Sequence, residues 1–509
     1  MTSRPGFTAE NVTRSATRSM AGDVTRDAVT KATRDTRGNR TGHAGEDVTS
    51  RRVGRRTVAI ATLVLAASLV AAPGVTQATA EATPAAPSTT PPHSHSHPHP
   101  LPSSPSPPSP HPHGLATQAG THTQGVRVAL PAPTGTHQVG TTRLHLVDRK
   151  RRDPWIAGQA HRELMVSIRY PARNAGRYPR APQMLPSEAA AFDAESNFSE
   201  QVPKGKVNWG ATLTHAHEGA PVARHRGQLP VVLYSPGAGD PRSLGTTLCD
   251  ELASRGYVVV TVDHTYEAPA VQFPDGRVAH SVLRKEAAAA ERTGRITELL
   301  KKLTAVRVAD TRFVLDELEK QSSDSGPALP DDLRESLDLD AIGMFGQSAG
   351  GFTAAQTMHD DRRIKAAVNL DGVLGYTQRD DDPSHPSTVG IDGVDRPLLL
   401  MGKEGDTHHT VASWGAVWRH SSGWHRDLTL AGSQHASFTD AESLIPQIAR
   451  QLDIPRATVT KMLGTIAPHR AIATQRAYVC AFFDRWLRGQ DNGLLNRPSP
   501  RYPEMRFVP

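Results

Sequence analysis

The chain has 509 residues, of which 58 are Lys or Arg and 51 are Asp or Glu, so its formal net charge is +7. Residues 1–80 hold 12 of the basic and 6 of the acidic residues, which leaves a nearly neutral balance of 46 against 45 in the rest. A nucleic-acid-binding function therefore loses its main support. The sequence has only two cysteines and contains no zinc-ligand or phosphate-loop motif. We therefore predict that the protein uses no metal and no other cofactor.

Residues 1–50 are polar and repeat an apolar-Thr-Arg pattern, as at Val12–Arg14 and Val24–Arg26. They contain too few large apolar residues to offset the entropy of ordering the chain. We predict a disordered leader here, or a start codon assigned too far upstream.

Residues 51–80 have the three parts of a secretory signal peptide. Four arginines within 51–56 precede the apolar run Val58–Ala72, and Ala78-Thr79-Ala80 forms a small-residue cleavage pattern. The apolar run is shorter than the roughly 20 residues of a bilayer span. The sequence therefore predicts a secreted protein, with an uncleaved membrane anchor as the alternative.

Residues 81–114 are rich in Pro, Ser and His, which is typical of an extended linker. Its alternating histidines, such as those in His93–His99, could collect a transition metal, but they supply no fixed four-ligand geometry. We expect a solvated spacer in front of a domain that covers residues 115–509.

Within residues 115–509, apolar runs of strand length alternate with helical patterns. The run 257–262 is β-branched and almost wholly apolar, as expected of a strand buried on both faces. This alternation predicts an α/β domain with a mostly parallel, doubly wound sheet. Strands are predicted over 164–170, 229–235, 257–262, 341–345, 364–370, 397–401 and 428–430, and helices over 246–255, twice within 285–321, over 351–358 and over 472–487.

The most specific motif is Gly346–Gly350, which reads Gly-Gln-Ser-Ala-Gly between a predicted strand and a predicted helix. Strand, G-x-S-x-G and helix in this order are typical of the nucleophile elbow of α/β-hydrolases. The strand and helix backbones come close at such a turn, so small residues flank the serine on both sides. Ser348 is therefore the predicted nucleophile, and a plain turn that closes a strand is the alternative.

A serine hydroxyl needs a general base, and in this fold the acid that orients the base and then the histidine follow the serine along the chain. His435 comes just after the predicted strand that ends at Leu430, so it is the predicted base. His408 and His409 compete with it, whereas the other two candidates precede that strand and would lie at its opposite end, namely His420 and His425.

Two aspartates follow predicted strands and compete for the acid role. Asp371 directly follows the strand 364–370, and Asp406 comes shortly after the strand 397–401. Because both lie at carboxyl ends of strands, position alone leaves the choice between them open.

An oxyanion hole needs two backbone N–H groups. One is predicted to be that of Ala349, the residue after the nucleophile. The other is predicted at Ala238, in the glycine-containing loop Ser235–Gly239 that follows an earlier strand. Glycines beside Ala238 would let the backbone approach a substrate.

Several further segments carry a family resemblance, and together they span most of the predicted domain: Leu130–Gly135, Val139–Asp148, Ser235–Gly239, Gly346–Gly350, Asn369–Gly372 and Gly432–Asp440. They resemble the plasma-type platelet-activating factor acetylhydrolase family of α/β-hydrolases, in a secreted, actinobacterial-like form. In that family the acid follows the strand right after the elbow helix, which implies Asp371 rather than Asp406. The resemblance also implies calcium-independent hydrolysis of esters with short acyl groups.

The sequence thus predicts a secreted serine ester hydrolase that acts on a small-molecule or lipid ester, including phospholipids with an acetyl-type sn-2 ester. A polyester or general lipase-type hydrolase would use the same residues. A secreted, non-catalytic binding module with this fold is the third hypothesis. A membrane would be contacted only through the signal peptide or a lipid substrate, and Cys249 and Cys480 could pair or stay free.

Overall fold

The computed structural model describes residues 125–224, 227–322 and 329–509. The predicted leader (1–50), signal peptide (51–80) and linker (81–114) lie outside these residues. Within the described ranges, no helix is both long and apolar enough to cross a membrane.

An eleven-stranded sheet forms the centre of the described part of the chain, and two short strands, Ala270–Gln272 and Val278–His280, form a separate ribbon. The strands are β1 (Gln138–Asp148), β2 (Arg162–Ala172), β3 (Arg180–Pro182), β4 (Leu213–Glu218), β5 (Leu229–Ser235), β6 (Val258–Asp263), β7 (Ala270–Gln272), β8 (Val278–His280), β9 (Leu337–Gln347), β10 (Ile364–Leu370), β11 (Leu398–Gly402), β12 (His425–Leu430) and β13 (Met505–Phe507).

The strands of the large sheet lie in the order β13-β12-β11-β10-β9-β5-β6-β2-β1-β4-β3. The six strands from β12 to β6 are all parallel to their neighbours, while β2 and β13 join this block antiparallel on its two sides. The prediction of a mostly parallel α/β sheet is therefore confirmed. Because parallel strands end on the same edge, the loops after β5, β9, β10 and β12 meet at one rim of the sheet.

Helices cover both faces of the sheet. Along β5, Val231 and Leu233 contribute to one apolar core, and Val232 and Tyr234 contribute to the other. This alternation is the reason why the central strands read as continuous apolar runs. The helices are α1 (Pro186–Glu195), α2 (Thr246–Ser254), α3 (Leu283–Arg292), α4 (Ile296–Ser322), α5 (Asp331–Arg334), α6 (Ala349–Asp360), α7 (Thr388–Asp392), α8 (Ala412–His420), α9 (Ala441–Leu452), α10 (Arg456–Leu463) and α11 (Pro468–Arg488).

The structure corrects several expected bounds. Strand β12 begins at His425 and not at residue 428, because its polar first residues pair with β11. Strand β2 continues through Pro171 to Ala172, because Pro171 still pairs with Val139 of β1. Strand β1 was not predicted, since polar residues interrupt its apolar pattern.

The two cysteines are free thiols in this structure. Cys249 on α2 and Cys480 on α11 are both buried and belong to the same apolar core, on the face of the sheet that these two helices cover. Burial raises the pKa of both thiols, so each acts as an apolar packing group.

Candidate active site

Ser348 lies at the turn between β9, which ends at Gln347, and α6, which begins at Ala349. Its backbone adopts φ 56° and ψ −125°, a conformation that costs free energy for a residue with a side chain. The N–H of Ser348 donates to the carbonyl of Leu370 at 2.8 Å, which ties the turn to the end of β10. The predicted strand-turn-helix context of Ser348 is therefore present.

The two glycines of the motif are needed because backbones touch at this turn. A Cβ atom on Gly346 would lie 2.3 Å from the carbonyl carbon of Gly350. A Cβ atom on Gly350 would lie 1.9 Å from the carbonyl oxygen of Ser235, at the end of β5. Both positions accept only glycine, since the opposing atoms belong to the backbone and cannot rotate away.

We therefore expect Gly350→Ala to lower the free energy of unfolding by about 3 kcal/mol or more, as overpacking against a fixed backbone does. Urea unfolding followed by circular dichroism measures this change. The control is Gly176→Ala, where a Cβ atom would meet no heavy atom within 4 Å, so we expect a change within about 0.5 kcal/mol. Equal stability of both variants would contradict the close approach at the elbow.

Asp371 directly follows β10 and receives hydrogen bonds on both carboxylate oxygens. Oδ2 lies 2.6 Å from Nδ1 of His435, and Oδ1 accepts the backbone N–H of Lys403 at 2.8 Å. Burial by itself would raise the pKa of Asp371, but the His435 hydrogen bond and the positive charge of Lys403 hold that pKa below its ordinary value. The side chain is therefore an ionised partner for the imidazole.

Asp406, the other candidate acid, forms an ion pair with the Nζ of Lys403 and has no hydrogen bond to His435 among the described residues. Burial and the charge of nearby Asp371 raise the pKa of Asp406 to about 7, against the opposing effect of Lys403. The geometry thus joins His435 to Asp371 and leaves Asp406 with Lys403.

His435 begins a 3-10 turn, His435–Phe438, in the loop after β12, and 42% of its side chain is exposed to solvent. Because Nδ1 bonds Asp371, the second ring nitrogen, Nε2, points to the elbow, where it lies 3.0 Å from the Nε2 of Gln347. Within the described residues no hydrogen bond joins His435 to the hydroxyl of Ser348, the next residue along the chain. No motif in the sequence predicts this contact between Gln347 and His435.

The electrostatic surroundings of His435 raise its pKa. Desolvation of the ring acts in the opposite direction, but the hydrogen bond from the ring to Asp371 and the charge of that carboxylate outweigh it. The Nδ1–H tautomer is favoured as well, since the carboxylate can only accept a hydrogen bond. Nε2 is then the nitrogen with a free lone pair.

We expect the imidazole of His435 to titrate above the ordinary histidine value of about 6.5. Asp371→Asn should lower this pKa, because it removes the negative charge that stabilises the imidazolium. NMR titration of the ring, assigned by loss of its signal in His435→Asn, measures the shift. Asp392→Asn removes the exposed partner of His359 and should leave the His435 signal unchanged.

The competing histidines have other partners. His408 binds Asp427 through Nδ1 at 2.7 Å and stacks on Trp418 with ring centroids 3.9 Å apart. His420 lies 2.8 Å, through Nδ1, from the carbonyl of Gly390. Two more lie away from the elbow: His425 opens β12 at its amino end, and His409 contacts the carbonyl of Pro509.

The two predicted oxyanion donors lie against one apolar cluster. Ala238 and Ala349 both pack on a group of side chains that includes Trp155 and Leu283. Neither alanine donates its backbone N–H to an acceptor among the described residues. For Ala349 this follows from its place at the first turn of α6, where backbone N–H groups have no intrahelical partner. The two N–H groups are thus free for a ligand.

The described residues contain no group of three or more His, Cys, Asp or Glu side chains that could hold a metal ion. Among the predicted site residues, Asp371 and His435 share a hydrogen bond, and Ser348 follows Gln347, whose side chain contacts the same imidazole.

Comparisons with known proteins point to ester hydrolysis. The family described as "Platelet-activating factor acetylhydrolase, isoform II" matches residues 122–492. A probable 1-alkyl-2-acetylglycerophosphocholine esterase of Arthroderma benhamiae is 27% identical over 396 residues, which cover 74% of this chain and 93% of that relative. A platelet-activating factor acetylhydrolase of Cavia porcellus is 25% identical over 257 residues, or 48% of this chain and 55% of that relative.

Among solved structures, a ferulic acid esterase from Streptomyces cinnamoneus superimposes with a TM-score of 0.59 and 35% sequence identity. The match covers 75% of this chain and 99% of that structure. The similarity therefore extends through nearly the whole of that esterase.

Proposed function

The chain belongs to the platelet-activating factor acetylhydrolase, isoform II, family and is an ester hydrolase; from that premise we propose that it is secreted and works through a serine acyl-enzyme. The observation that carries the proposal is the 2.6 Å contact between His435 Nδ1 and Asp371 Oδ2, which turns the second ring nitrogen toward the Ser348 elbow. An orienting acid, a base and a strained serine turn are the three parts that this chemistry needs.

In the proposed reaction Ser348 Oγ attacks the ester carbonyl while His435 Nε2 takes the hydroxyl proton. The ionised Asp371 holds the Nδ1–H tautomer and stabilises the imidazolium. The oxyanion accepts hydrogen bonds from the backbone N–H groups of Ala238 and Ala349. His435 then returns the proton to the leaving alcohol, and a water activated by the same nitrogen hydrolyses the acyl-enzyme.

The reaction requires His435 Nε2 to leave its present hydrogen-bond partner, Gln347, and to bond the hydroxyl of Ser348. Gln347 and Ser348 are consecutive residues and the ring is partly exposed, so we propose that the ring turns from Gln347 to Ser348 when substrate binds. Catalytic hydrogen bonds often tighten only in the substrate complex. The Gln347 contact is therefore compatible with a competent base.

For the substrate, we propose esters with short acyl groups, including acetyl-type sn-2 esters of phospholipids. This choice is supported by the family and by the names of the curated relatives. A second candidate is an aromatic, ferulate-type ester, which the 35% identity to the ferulic acid esterase favours. The apolar cluster beside the predicted oxyanion donors, with the aromatic residues Trp155 and Tyr266, suits either an acyl chain or a ring. Polyesters and longer lipids would use the same residues.

One set of assays tests these proposals. A series of p-nitrophenyl esters of increasing acyl length, together with a 2-acetyl phospholipid and methyl ferulate, ranks the substrates by kcat/KM. We expect the acetyl esters to lead. A maximum at methyl ferulate would move the assignment to aromatic esters. A folded protein that hydrolyses none of them and resists a fluorophosphonate probe would leave the non-catalytic binding module as the better reading.

Secretion has a separate test. Expression of the full chain in an actinobacterial host, followed by N-terminal sequencing of protein from the medium, should show a mature chain that begins at Glu81. Retention of the full-length chain in the membrane fraction would favour the uncleaved anchor.

A further inference from the structure

A buried arginine, which has no role in the proposed reaction, donates hydrogen bonds to the loop Ser235–Gly239. Arg307 of α4 donates to the carbonyl of Pro236 at 2.6 Å and to the carbonyl of Gly237 at 3.1 Å. Its Nε donates to Glu267 at 2.7 Å, and both side chains of this ion pair are 1% exposed. The guanidinium therefore uses all three of its nitrogens, two of them on this loop.

These contacts fix the direction of the next N–H group. In a trans peptide unit, the carbonyl and the N–H point in opposite directions. Since the Gly237 carbonyl points toward Arg307, the N–H of Ala238 points away from that guanidinium. This N–H has no acceptor among the residues that the structure describes. The orientation of the predicted oxyanion donor is thus set by the side chain beneath it.

The same helix is also connected to the start of the loop through a second residue, His264. The hydroxyl of Ser235 lies 2.9 Å from Nε2 of His264, and Nδ1 of His264 lies 3.0 Å from Asp310, one turn after Arg307 on α4. Arg162 binds the same carboxylate through two nitrogens, at 3.1 and 2.7 Å. Helix α4 is thus connected to the loop directly by Arg307 and indirectly, through His264, by Asp310.

Ser235, His264 and Asp310 have the order of bonds of a catalytic triad, but they cannot contact a substrate. Their exposed fractions are 0%, 1% and 0%. Burial and the charge of Arg307 lower the pKa of His264 to about 4, so the ring is neutral at ordinary pH. A neutral ring that donates a hydrogen bond to Asp310 through Nδ1 can accept a hydrogen bond from the Ser235 hydroxyl at Nε2. These three side chains can act only by holding the loop.

We propose that Arg307 is a positioning residue that aims the Ala238 N–H at the oxyanion, with the Ser235–His264–Asp310 contacts as a second support from α4. This inference rests on the proposed function. The arginine is suited to the task because its planar fork holds two carbonyls at once, whereas a lysine ammonium is a point charge on a flexible chain.

The test compares Arg307→Lys with a matched variant on the same helix, Arg312→Gln, whose side chain is 54% exposed and pairs with Asp361. Arg307→Lys keeps a cation opposite Glu267, so the variant should fold. We expect it to lower kcat by about 100-fold, the loss typical of one missing oxyanion donor, with KM changed by less than about threefold. Its affinity for a trifluoromethyl ketone, which forms a tetrahedral adduct, should fall by the same factor as kcat/KM. Arg312→Gln should match the wild type in all three quantities.

Amide hydrogen exchange provides a readout that does not depend on catalysis. Arg307→Lys should speed the exchange of the Asp240 amide, which donates to the carbonyl of Gly237 at 3.2 Å, and leave α6 unchanged. Ser235→Ala should have a smaller effect of the same kind. If the wild type neither hydrolyses esters nor reacts with the probe, the proposed function fails, and the exchange rates still decide whether Arg307 holds the loop. Wild-type turnover, wild-type adduct affinity and unchanged exchange in Arg307→Lys would overturn the proposal.

Discussion

Ser348→Ala is expected to lower kcat for p-nitrophenyl acetate by about 10⁵- to 10⁶-fold, because the proposed acyl-enzyme forms on the Ser348 hydroxyl. Labelling by a fluorophosphonate probe should disappear in the same variant. The variant should fold, since alanine removes only a hydroxyl from the turn and keeps the backbone bond from residue 348 to Leu370.

The matched control for this change is Ser384→Ala, at an exposed loop position. It should retain both turnover and labelling. Substantial hydrolysis by Ser348→Ala would contradict the nucleophile assignment, because residual activity without a nucleophile comes only from binding and the oxyanion hole. Labelling of Ser348→Ala at a different serine, found by mass spectrometry of the adduct, would name the residue that replaces it.

Asp371→Asn should lower kcat by about 10⁴-fold, since an amide at this position no longer fixes the Nδ1–H tautomer of His435. The comparison is Asp406→Asn, the same chemical change at the neighbouring carboxylate. We expect a loss of less than about tenfold there, because Asp406 binds Lys403 and not His435. Steady-state kinetics with one ester measures both.

The reverse order would overturn this assignment. If Asp406→Asn were the crippling change and Asp371→Asn nearly silent, the acid would reach His435 by a rearrangement of the Lys403 loop. Circular dichroism and thermal melts of both variants separate a catalytic loss from an unfolded protein. The Asp371 variant also gives the lowered His435 pKa described above, which a merely destabilised protein would not give.

The arrangement of the acids shows why one lysine matters to both. The backbone N–H of Lys403 binds Asp371, and its Nζ binds Asp406. The loop after β11 thus donates a hydrogen bond to the Asp371 carboxylate, whereas Asp406, which lies in that loop, forms an ion pair with Lys403. Two carboxylates that both follow a strand on the same rim therefore end with different roles, because only one of them faces the imidazole.

The sequence by itself determined the elements whose signals are local. Gly346–Gly350 between an apolar run and a helical pattern predicted the turn at Ser348, and the structure shows backbone contacts at both flanking glycines. Strands β5 and β10 have the predicted bounds, because each is a mostly apolar run ended by turn residues. The place of His435 at the rim was also predicted from the sequence, because His435 follows a strand and parallel strands bring such loops to one rim.

Only the tertiary structure decided which distant side chains meet. From residue positions alone, Asp371 and Asp406 were equivalent, and the family resemblance was what favoured Asp371; the 2.6 Å contact with His435 joins two residues that are 64 positions apart. Gln347 at His435 and Arg307 under the loop after β5 left no sequence signal. Local propensity acts over a few neighbouring residues, whereas these contacts depend on how the sheet and α4 pack, and no short stretch of sequence encodes that packing.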